Sequence, residues 1–298
     1  MLVFLTGASG LLGRRVSTGL LGRGHRVLAL TRGPARREGA VEWISGDPSA
    51  AGPWQGRLEG CDAVVHLAGE SVGQRWTDTA RLHIRDSRLE STRRLVEGLQ
   101  AARRPPRVLV CASGQDYYPF DDSERAYTES DGPGDSFLAR LCVDWEAGAR
   151  SAERLGLRVA MLRLGVVLAP EGGALEPMAR PFRLFAGGPL GSGRQWMGWI
   201  HVEDVAAVIL RALERESLSG PLNLVAPQAL RQADFARLLG AALGRPSILP
   251  TPAFALRLIL GGFAEHLLQG RRVEPRALLD EGYEFIHSEA GAALRACL

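Results

Sequence analysis

The chain contains no lysine, and all 36 of its basic residues are arginines, set against 33 acidic residues for a net charge of +3. This balance excludes the strongly basic surface that nucleic-acid-binding proteins need. Cysteine is scarce as well, and no two of the four cysteines form a C-x-x-C pair. We therefore expect buried free thiols and predict neither a metal site nor a redox motif.

Long hydrophobic runs are also missing. No apolar stretch approaches the roughly 20 residues that a membrane-spanning helix needs, and the N-terminus has the pattern of a strand rather than of a signal peptide. The composition, 46% hydrophobic and 23% charged over 298 residues, is sufficient for one large domain or two unequal ones. We expect a cytoplasmic globular protein without a membrane partner.

The N-terminal residues contain the most informative pattern of the chain. A short apolar run, Leu2–Leu5, ends at glycines spaced three apart, and a helical pattern follows over Leu11–Leu21. Such a strand-to-helix turn needs glycine where the chain reverses, where a pyrophosphate approaches the backbone, and where the helix packs on its strand. The helix N-terminus then faces the phosphates. The predicted dinucleotide-binding turn comprises Gly7, Ser9, Gly10, Leu11, Leu12 and Gly13.

Further apolar runs rich in valine, isoleucine and leucine are spaced far enough apart for a helix between successive runs. Continuous runs of this kind are typical of parallel strands that are covered on both faces. We predict an α/β fold with a Rossmann-type, doubly wound parallel sheet. The predicted strands are His25–Leu30, Val41–Ser45, Ala63–Leu67, Arg107–Ala112 and Arg158–Leu164.

Glycine and proline become frequent after Leu168, which indicates a second structural unit. We predict a dinucleotide-binding domain over 1–168, its sheet completed by 199–226, and a small, mostly helical substrate-binding lobe over 169–298. The later elements predicted are a helix with Asp204 as its N-cap, a strand over Pro221–Ala226, and helices over Gln232–Leu243 and Pro252–Leu260.

The end of the second strand predicts which nucleotide binds. An acidic residue there binds the ribose of NAD, whereas a 2′-phosphate needs a cation. The chain has Thr31 and Arg32 at this place, so NADP(H) is favoured, the alternative being that Arg32 is an ordinary solvated loop residue. After the third long strand, the backbone of Leu67, Ala68 and Gly69 should pass beside the ribose.

Several further motifs resemble the epimerase-family proteins of the atypical, extended short-chain dehydrogenase/reductase superfamily, and the resemblance runs nearly end to end. It implies an NADP-binding Rossmann domain with a small C-terminal lobe, and members are often described as nucleoside-diphosphate-sugar epimerases. The motifs are Leu67–Glu70, Arg75–Thr77, Ser87–Arg88, Tyr117–Tyr118, Trp145–Glu146, Arg163–Gly165, Gly187–Gln195 and Trp199–Asp204.

The superfamily's chemistry uses a Y-x-x-x-K pair, in which one helical turn brings lysine beside the tyrosine and lowers its pKa. The corresponding positions here are Leu138 and Cys142, so the pair is absent. Ser113, Tyr117 and Tyr118 are the candidates for proton transfer, with Asp116 a weaker one. The alternative for the tyrosines is ring packing and substrate hydrogen bonding.

The resemblance also implies which residues bind the cofactor and the substrate. Arg88 is expected to contact a cofactor phosphate, with His83 as a neighbour, and Ala112 is a further expected cofactor contact. The end of the fifth long strand is expected to pass the nicotinamide. Gln195, Trp196 and His201 are the candidate substrate contacts. The residues expected near the nicotinamide are Arg163, Leu164, Gly165 and Val167.

Two functions remain open from the sequence. One is an NADP(H)-dependent oxidoreductase or epimerase that acts on a small molecule, such as a nucleotide sugar, without the usual pair. The other is a non-catalytic NADP(H)-dependent sensor or a cell-division-associated interaction protein, which the missing pair favours. A flavin or NAD enzyme is disfavoured by Arg32.

Overall fold

The computed structural model describes residues 1–298, and its strands agree closely with the predicted ones. Each predicted strand is present, within a residue or two of the predicted bounds. The fourteen strands are β1 (Leu2–Thr6), β2 (Arg26–Thr31), β3 (Arg36–Glu38), β4 (Val41–Ser45), β5 (Ala63–His66), β6 (Val108–Gly114), β7 (Ala126–Tyr127), β8 (Arg158–Leu164), β9 (Val166–Leu168), β10 (Trp196–Met197), β11 (Trp199–His201), β12 (Gly220–Leu224), β13 (Leu230–Arg231) and β14 (Arg272–Val273).

Ten α-helices connect and cover these strands. None is long and apolar enough to span a lipid bilayer. The helices are α1 (Leu11–Gly22), α2 (Asp78–Ala101), α3 (Phe137–Arg150), α4 (Leu175–Arg183), α5 (Val202–Glu214), α6 (Gln232–Leu243), α7 (Ala253–Leu260), α8 (Phe263–Leu268), α9 (Arg276–Asp280) and α10 (Ala290–Cys297).

Eight strands form the main sheet in the order β12-β8-β6-β5-β1-β2-β4-β3. All neighbours pair in parallel except β3, which runs antiparallel to β4 at the edge. The sheet is therefore the Rossmann-type parallel sheet that the sequence predicts. Strand β12 joins it beside β8, although about 55 residues separate the two along the chain.

Both faces of the sheet are buried, which explains the continuous apolar runs. Along β1, Val3 and Leu5 point into one core and Phe4 into the other, since successive side chains of a strand face opposite sides. Helices α1 and α5 pack together on the first face, and α2 and α3 on the second. The sheet is thus doubly wound. A third core lies between α4, α6 and α10.

The start of α5 differs from the prediction. The sequence predicts Asp204 as its N-cap, but His201 occupies that position, and its Nδ1 accepts a hydrogen bond from the backbone N–H of Glu203. Asp204 is fully buried, where its carboxylate accepts hydrogen bonds from the hydroxyl of Tyr283 and from the backbone N–H of His287. It ties α5 to the C-terminal segment instead of capping the helix.

Candidate dinucleotide site at the edge of the sheet

The strand order reverses between β1 and β5, and in doubly wound sheets this reversal forms a crevice at the carboxyl edge. The chain continues from β1 through β2 to one side of the sheet, and β5, β6 and β8 follow on the other side. Ligands of doubly wound sheets bind where the strand order reverses in this way. The turn after β1 and the segment after β5 form the two walls of this crevice.

The three glycines of the turn after β1 serve three different purposes. Gly7 has a φ of +70°, and a Cβ on it would lie 2.7 Å from the carbonyl carbon of Leu67. A Cβ on Gly13 would lie only 2.2 Å from the carbonyl oxygen of Gly7, so α1 packs directly on the turn. A Cβ on Gly10 would meet that same oxygen at 3.2 Å and otherwise project into open space. Only Gly10 therefore leaves room for a ligand to approach the backbone.

The N-terminus of α1 has the properties of a phosphate-binding site. Its N-cap residue is Gly10, no side chain caps the free N–H groups, and the first turn contains no acidic residue. Ser9 is exposed beside it, while Leu11 and Leu12 are half-buried. The unsatisfied N–H groups and the positive end of the helix dipole are consequently available to an anion.

Arg32 at the end of β2 is exposed and forms neither an ion pair nor a hydrogen bond. Its neighbour Arg36, by contrast, pairs with Glu38 at 2.6 Å and stacks over Trp43 at 4.1 Å. The hydroxyl of Thr31 accepts a hydrogen bond from the backbone N–H two residues later, which leaves its proton free to donate. Arg32 is thus the unengaged cation at the place where the 2′-phosphate of NADP would lie.

The other wall carries Ala68, Gly69 and Arg88. A Cβ on Gly69 would lie 3.3 Å from Cζ of Arg88, so the guanidinium group covers this glycine. Arg88 is half-buried, donates to the carbonyl of Ile84 at 2.9 Å, and retains further N–H donors. His83 is exposed on α2 and makes no hydrogen bond, so its predicted role as a neighbour of the cofactor gains no support from its contacts.

His66, at the end of β5, is a packed strand residue. It has no exposed surface, and its Nδ1 lies 2.7 Å from the hydroxyl of Thr6. That hydroxyl also accepts the backbone N–H groups of Leu67 and Ala68, so it donates its proton to Nδ1. Burial lowers the pKa of His66 to about 4 and keeps the imidazole neutral.

This buried histidine should make the protein less stable in mild acid. As the pH falls, the unfolded chain binds a proton near pH 6.5 whereas the folded protein does so only near pH 4. The contribution is complete above about pH 6.5 and is lost by about pH 4, up to about 3 kcal/mol in total. Urea unfolding of wild type and His66→Gln over this range measures it, with the exposed His83→Gln as control. Equal pH slopes for wild type and His66→Gln would contradict the assignment.

Five buried polar side chains form one hydrogen-bonded network at the end of β6 and β8. Arg163 makes a bidentate ion pair with Glu146, with both N···O distances 2.8 Å, and Ser113 donates to the same carboxylate at 2.7 Å. Arg163 also donates to the hydroxyl of Tyr118 at 2.8 Å, and that hydroxyl donates to Asn223 at 2.7 Å. The network joins α3, β6, β8 and β12 within the interior of the protein.

Two of the predicted catalytic residues, Tyr118 and Ser113, belong to this network. Tyr118 has no exposed surface, its hydroxyl already donates and accepts, and burial raises its pKa to about 12, although Arg163 opposes that rise. Ser113 is buried with its proton directed at Glu146. Arg163 is only 2% exposed and engaged by Glu146, so it is unavailable to a cofactor. All three side chains are engaged by hydrogen bonds in the interior of the protein.

The remaining residues of this edge lie closer to the surface. Tyr117 is half-buried beneath the guanidinium group of Arg163, whose Cζ lies 3.5 Å from the ring centroid. Ala112 is buried within β6. Asp116 retains 30% exposure of its side chain and pairs with Arg271 at 2.7 Å. The residues at the turn from β8 to β9, all half-buried, are Leu164, Gly165 and Val167.

The three predicted substrate contacts are engaged within the protein. Gln195 is 2% exposed and donates to two backbone carbonyls, those of Leu190 and Leu267. Trp196 is half-buried, with the guanidinium group of Arg231 3.7 Å from its ring centroid. His201 is 3% exposed and caps α5. The side chains of Gln195 and His201 are thus buried and engaged within the protein, and their contact with a substrate stays a prediction.

His201 also belongs to the one group of side chains with metal-ligand spacing. Its ring stacks on that of His287 at 3.8 Å, and ligand atoms of His201, Glu203 and His287 lie within 4.8 Å of one another. The sequence does not predict this group, because residue 287 is distant from residues 201–203 along the chain and no local pattern associates them.

Known protein families and relatives match this chain over most of its length. The model of the NAD dependent epimerase/dehydratase family matches residues 3–224, and that of a domain of unknown function (DUF1731) matches residues 251–297. The mouse epimerase family protein SDR39U1 is 38% identical over 299 residues, with 99% of both chains covered. Its Arabidopsis thaliana homolog, described as chloroplastic, is 37% identical, with 100% of this chain and 87% of the relative covered.

A solved structure of a relative superposes over the whole chain. The crystal structure of human epimerase family protein SDR39U1 (isoform 2) with NADPH shares 37% identity with this chain and gives a TM-score of 0.89. The alignment covers 100% of this chain and 99% of the human one.

Proposed function

The chain belongs to the NAD-dependent epimerase/dehydratase family, and we propose that it binds NADP(H) and acts as an oxidoreductase or epimerase on a small carbonyl or alcohol substrate of the nucleotide-sugar type. The observation that carries the nucleotide assignment is the uncapped N-terminus of α1 behind Gly10, together with the unpaired Arg32. The human relative crystallised with NADPH supports it.

The residues of the crevice fit each part of such a dinucleotide. Gly10 and the N–H groups of α1 would hold the pyrophosphate, Arg32 and Thr31 the 2′-phosphate, and the small Ala68 and Gly69 the ribose. Nicotinamide, when bound, supplies hydride transfer to or from a substrate carbon. The protein's own contribution is to bind and orient that ring and to exchange the accompanying proton.

Arg32 should decide between NADPH and NADH. A charge-assisted hydrogen bond to a phosphate contributes about 1.5 to 3 kcal/mol, equivalent to about ten- to a hundredfold in affinity. We expect tighter NADPH than NADH binding, and Arg32→Ala should remove most of the difference without weakening NADH. Calorimetric titration of both nucleotides against both proteins measures it.

Arg26→Ala, at the opposite end of the same strand, is the matched control and should keep the preference for NADPH. Equal affinity of wild type for the two nucleotides, or an unchanged preference in Arg32→Ala, would show that Arg32 is only a solvated surface residue.

The missing pair supports a second candidate, a non-catalytic NADP(H)-dependent sensor. Leu138 and Cys142 are each 5% exposed, and burial raises the pKa of Cys142 to about 12, so neither replaces the tyrosine or the lysine. The two functions are separated by incubating wild type with NADPH and a panel of aldehydes, ketones and nucleoside-diphosphate 4-keto sugars. Oxidation of NADPH with any of them identifies an enzyme, whereas tight binding without oxidation supports the sensor.

A further inference from the structure

A group of three charged or titratable side chains lies beside the two positions of the missing catalytic pair. Asp116 follows β6 in a short 3₁₀ turn, Gln115–Tyr117. A Cβ on Gly114 would lie 3.6 Å from the sulfur of Cys142 and 3.8 Å from Oδ2 of Asp116. The carboxylate of Asp116 is therefore close to the position that the family's lysine would occupy.

His266 approaches this carboxylate from the C-terminal part of the chain. It lies on α8, and its Nδ1 is 3.4 Å from Oδ1 of Asp116. Arg271 donates to the same oxygen at 2.7 Å and is only 4% exposed. Burial would raise the pKa of Asp116, but the charge of Arg271 and the contact with His266 outweigh it and hold that pKa below its ordinary range. Asp116 thus remains an anion facing the imidazole.

Aromatic side chains flank the ring of His266. Its centroid lies 4.9 Å from that of Trp76 and 5.2 Å from that of Phe120. Trp76 in turn packs in the same apolar cluster as Leu138, the residue at the tyrosine position. One aromatic side chain therefore connects the imidazole to the position of the missing tyrosine.

The two ring nitrogens of His266 have different surroundings. Nδ1 is fully enclosed, and the carboxylate of Asp116 is the acidic group within 4 Å of it. Nε2 makes no hydrogen bond and is the less enclosed of the two nitrogens, on a side chain that is 8% exposed. A carboxylate that faces Nδ1 selects the tautomer with its proton there and leaves Nε2 to exchange a proton with a reactant. At 3.4 Å the two groups are in ionic contact but do not form a hydrogen bond, and catalytic hydrogen bonds often become well aligned only when the ligand binds.

We propose that His266, positioned by Asp116, transfers the proton that the tyrosine transfers in the family's usual pair. This inference rests on the proposed oxidoreductase or epimerase function. An imidazole exchanges protons readily at neutral pH, whereas an unassisted tyrosine with a pKa of about 10 does not. The chain therefore replaces the missing pair with residues from two distant segments.

The step balances as an ordinary carbonyl reduction. The carbonyl carbon accepts the hydride from NADPH, the electron pair of the broken C=O π bond moves to oxygen, and that oxygen takes the proton from Nε2 of His266. The products are the alcohol, NADP⁺ and a neutral imidazole, which regains its proton from water. In the oxidation, Nε2 accepts the hydroxyl proton as the hydride leaves the substrate carbon.

The proposal is tested first on the rate of NADPH oxidation with whichever carbonyl of the panel wild type reduces. His266→Ala and His266→Gln should each lower kcat by about a hundredfold or more, the usual contribution of a general acid, and leave the Kd for NADPH unchanged. Asp116→Asn removes the charge that faces Nδ1 and also the ionic partner of Arg271. It should lower kcat by about tenfold with little change in KM, and urea unfolding of the same variant measures the accompanying change in stability. His25→Ala, at the opposite edge of the sheet, is the matched control.

Rescue by small molecules separates proton transfer from a structural role. Added imidazole should restore much of the activity of His266→Ala, whereas pyrazole, which has the same shape but is too weakly basic to carry a proton at neutral pH, should not. A His266→Ala or His266→Gln variant that keeps the wild-type kcat would overturn the proposal, as would equal rescue by the two compounds. Neither result would affect the assignment of NADP(H).

A second experiment needs no substrate. It tests the position of His266 even if wild type reduces no compound of the panel. Diethylpyrocarbonate should modify His266 at its open nitrogen, as measured by peptide mass spectrometry. NADPH at about ten times its Kd should slow this modification about tenfold, since only about one molecule in ten is then free. The modification of His25 should not change. An unreactive or unprotected His266 would refute its placement beside the cofactor.

Discussion

Replacement of Gly10 by valine should abolish NADPH binding and leave the protein folded. Gly10 has a φ of −74°, which valine adopts without strain, and a Cβ there meets only the carbonyl oxygen of Gly7 at 3.2 Å. The two methyl groups would instead cover the N–H groups at the start of α1 and displace the pyrophosphate. Because several charge-assisted hydrogen bonds are lost together, we expect affinity to fall about a hundredfold or more.

Thermal unfolding with and without NADPH, together with calorimetric titration, measures both parts of this prediction. Gly22→Val, at the other end of α1 where a side chain meets no atom within 4 Å, is the matched control and should bind normally. Gly13→Ala should behave differently again, by lowering stability, because its Cβ would collide with backbone at 2.2 Å. A Gly10→Val protein that NADPH still stabilises as much as wild type would remove the basis for the phosphate site.

Removal of the carboxylate of Glu146 should destabilise the protein by about 3 to 5 kcal/mol, because it leaves the buried charge of Arg163 without a partner. Arg163 and Glu146 are 3% and 4% exposed in their side chains, so water cannot replace the lost contact. Ser113 would lose its acceptor in the same variant. Urea unfolding of Glu146→Ala and of Glu146→Gln, which keeps the shape but not the charge, measures the effect.

Glu97→Ala provides the contrast for this buried pair. Glu97 pairs with Arg93 and Arg94 on the exposed side of α2, and exposed ion pairs contribute less than about 1 kcal/mol. A loss of that small size in both Glu146 variants would mean that Arg163 finds another partner, and that the network does not depend on Glu146.

The sheet and most helices follow from the sequence because they depend on local patterns. Strands buried on both faces have continuous apolar runs, and the predicted bounds of α6, Gln232–Leu243, are those observed. The start of α5 is different, because Asp204 finds its donors in residues 283–287. A capping pattern in the sequence gives no information about such distant partners.

The dinucleotide turn was also predictable, since its chemistry is contained in thirteen consecutive residues. The burial of the catalytic candidates was not predictable. The position of a residue in a strand indicates which edge of the sheet its side chain is near, but not whether another side chain encloses it. Tyr118 and Arg163 lie at the predicted edge, yet Glu146 and Asn223 hold them in the interior. His266 gave no local signal, since its partner Asp116 precedes it by 150 residues.

Strand β12 is synthesised about 55 residues after β8, the strand with which it pairs, and this separation affects folding during synthesis. Until residue 224 has emerged, β8 is an edge strand paired only with β6, and until residue 214 has emerged, α1 lacks the helix α5 that packs against it. A nascent chain that ends at residue 168 therefore exposes hydrophobic surface and a row of free backbone hydrogen-bonding groups, a combination that favours aggregation. The main sheet can consequently be completed only after residues 165–219, which lie between β8 and β12, have been synthesised and the chain has returned to the sheet.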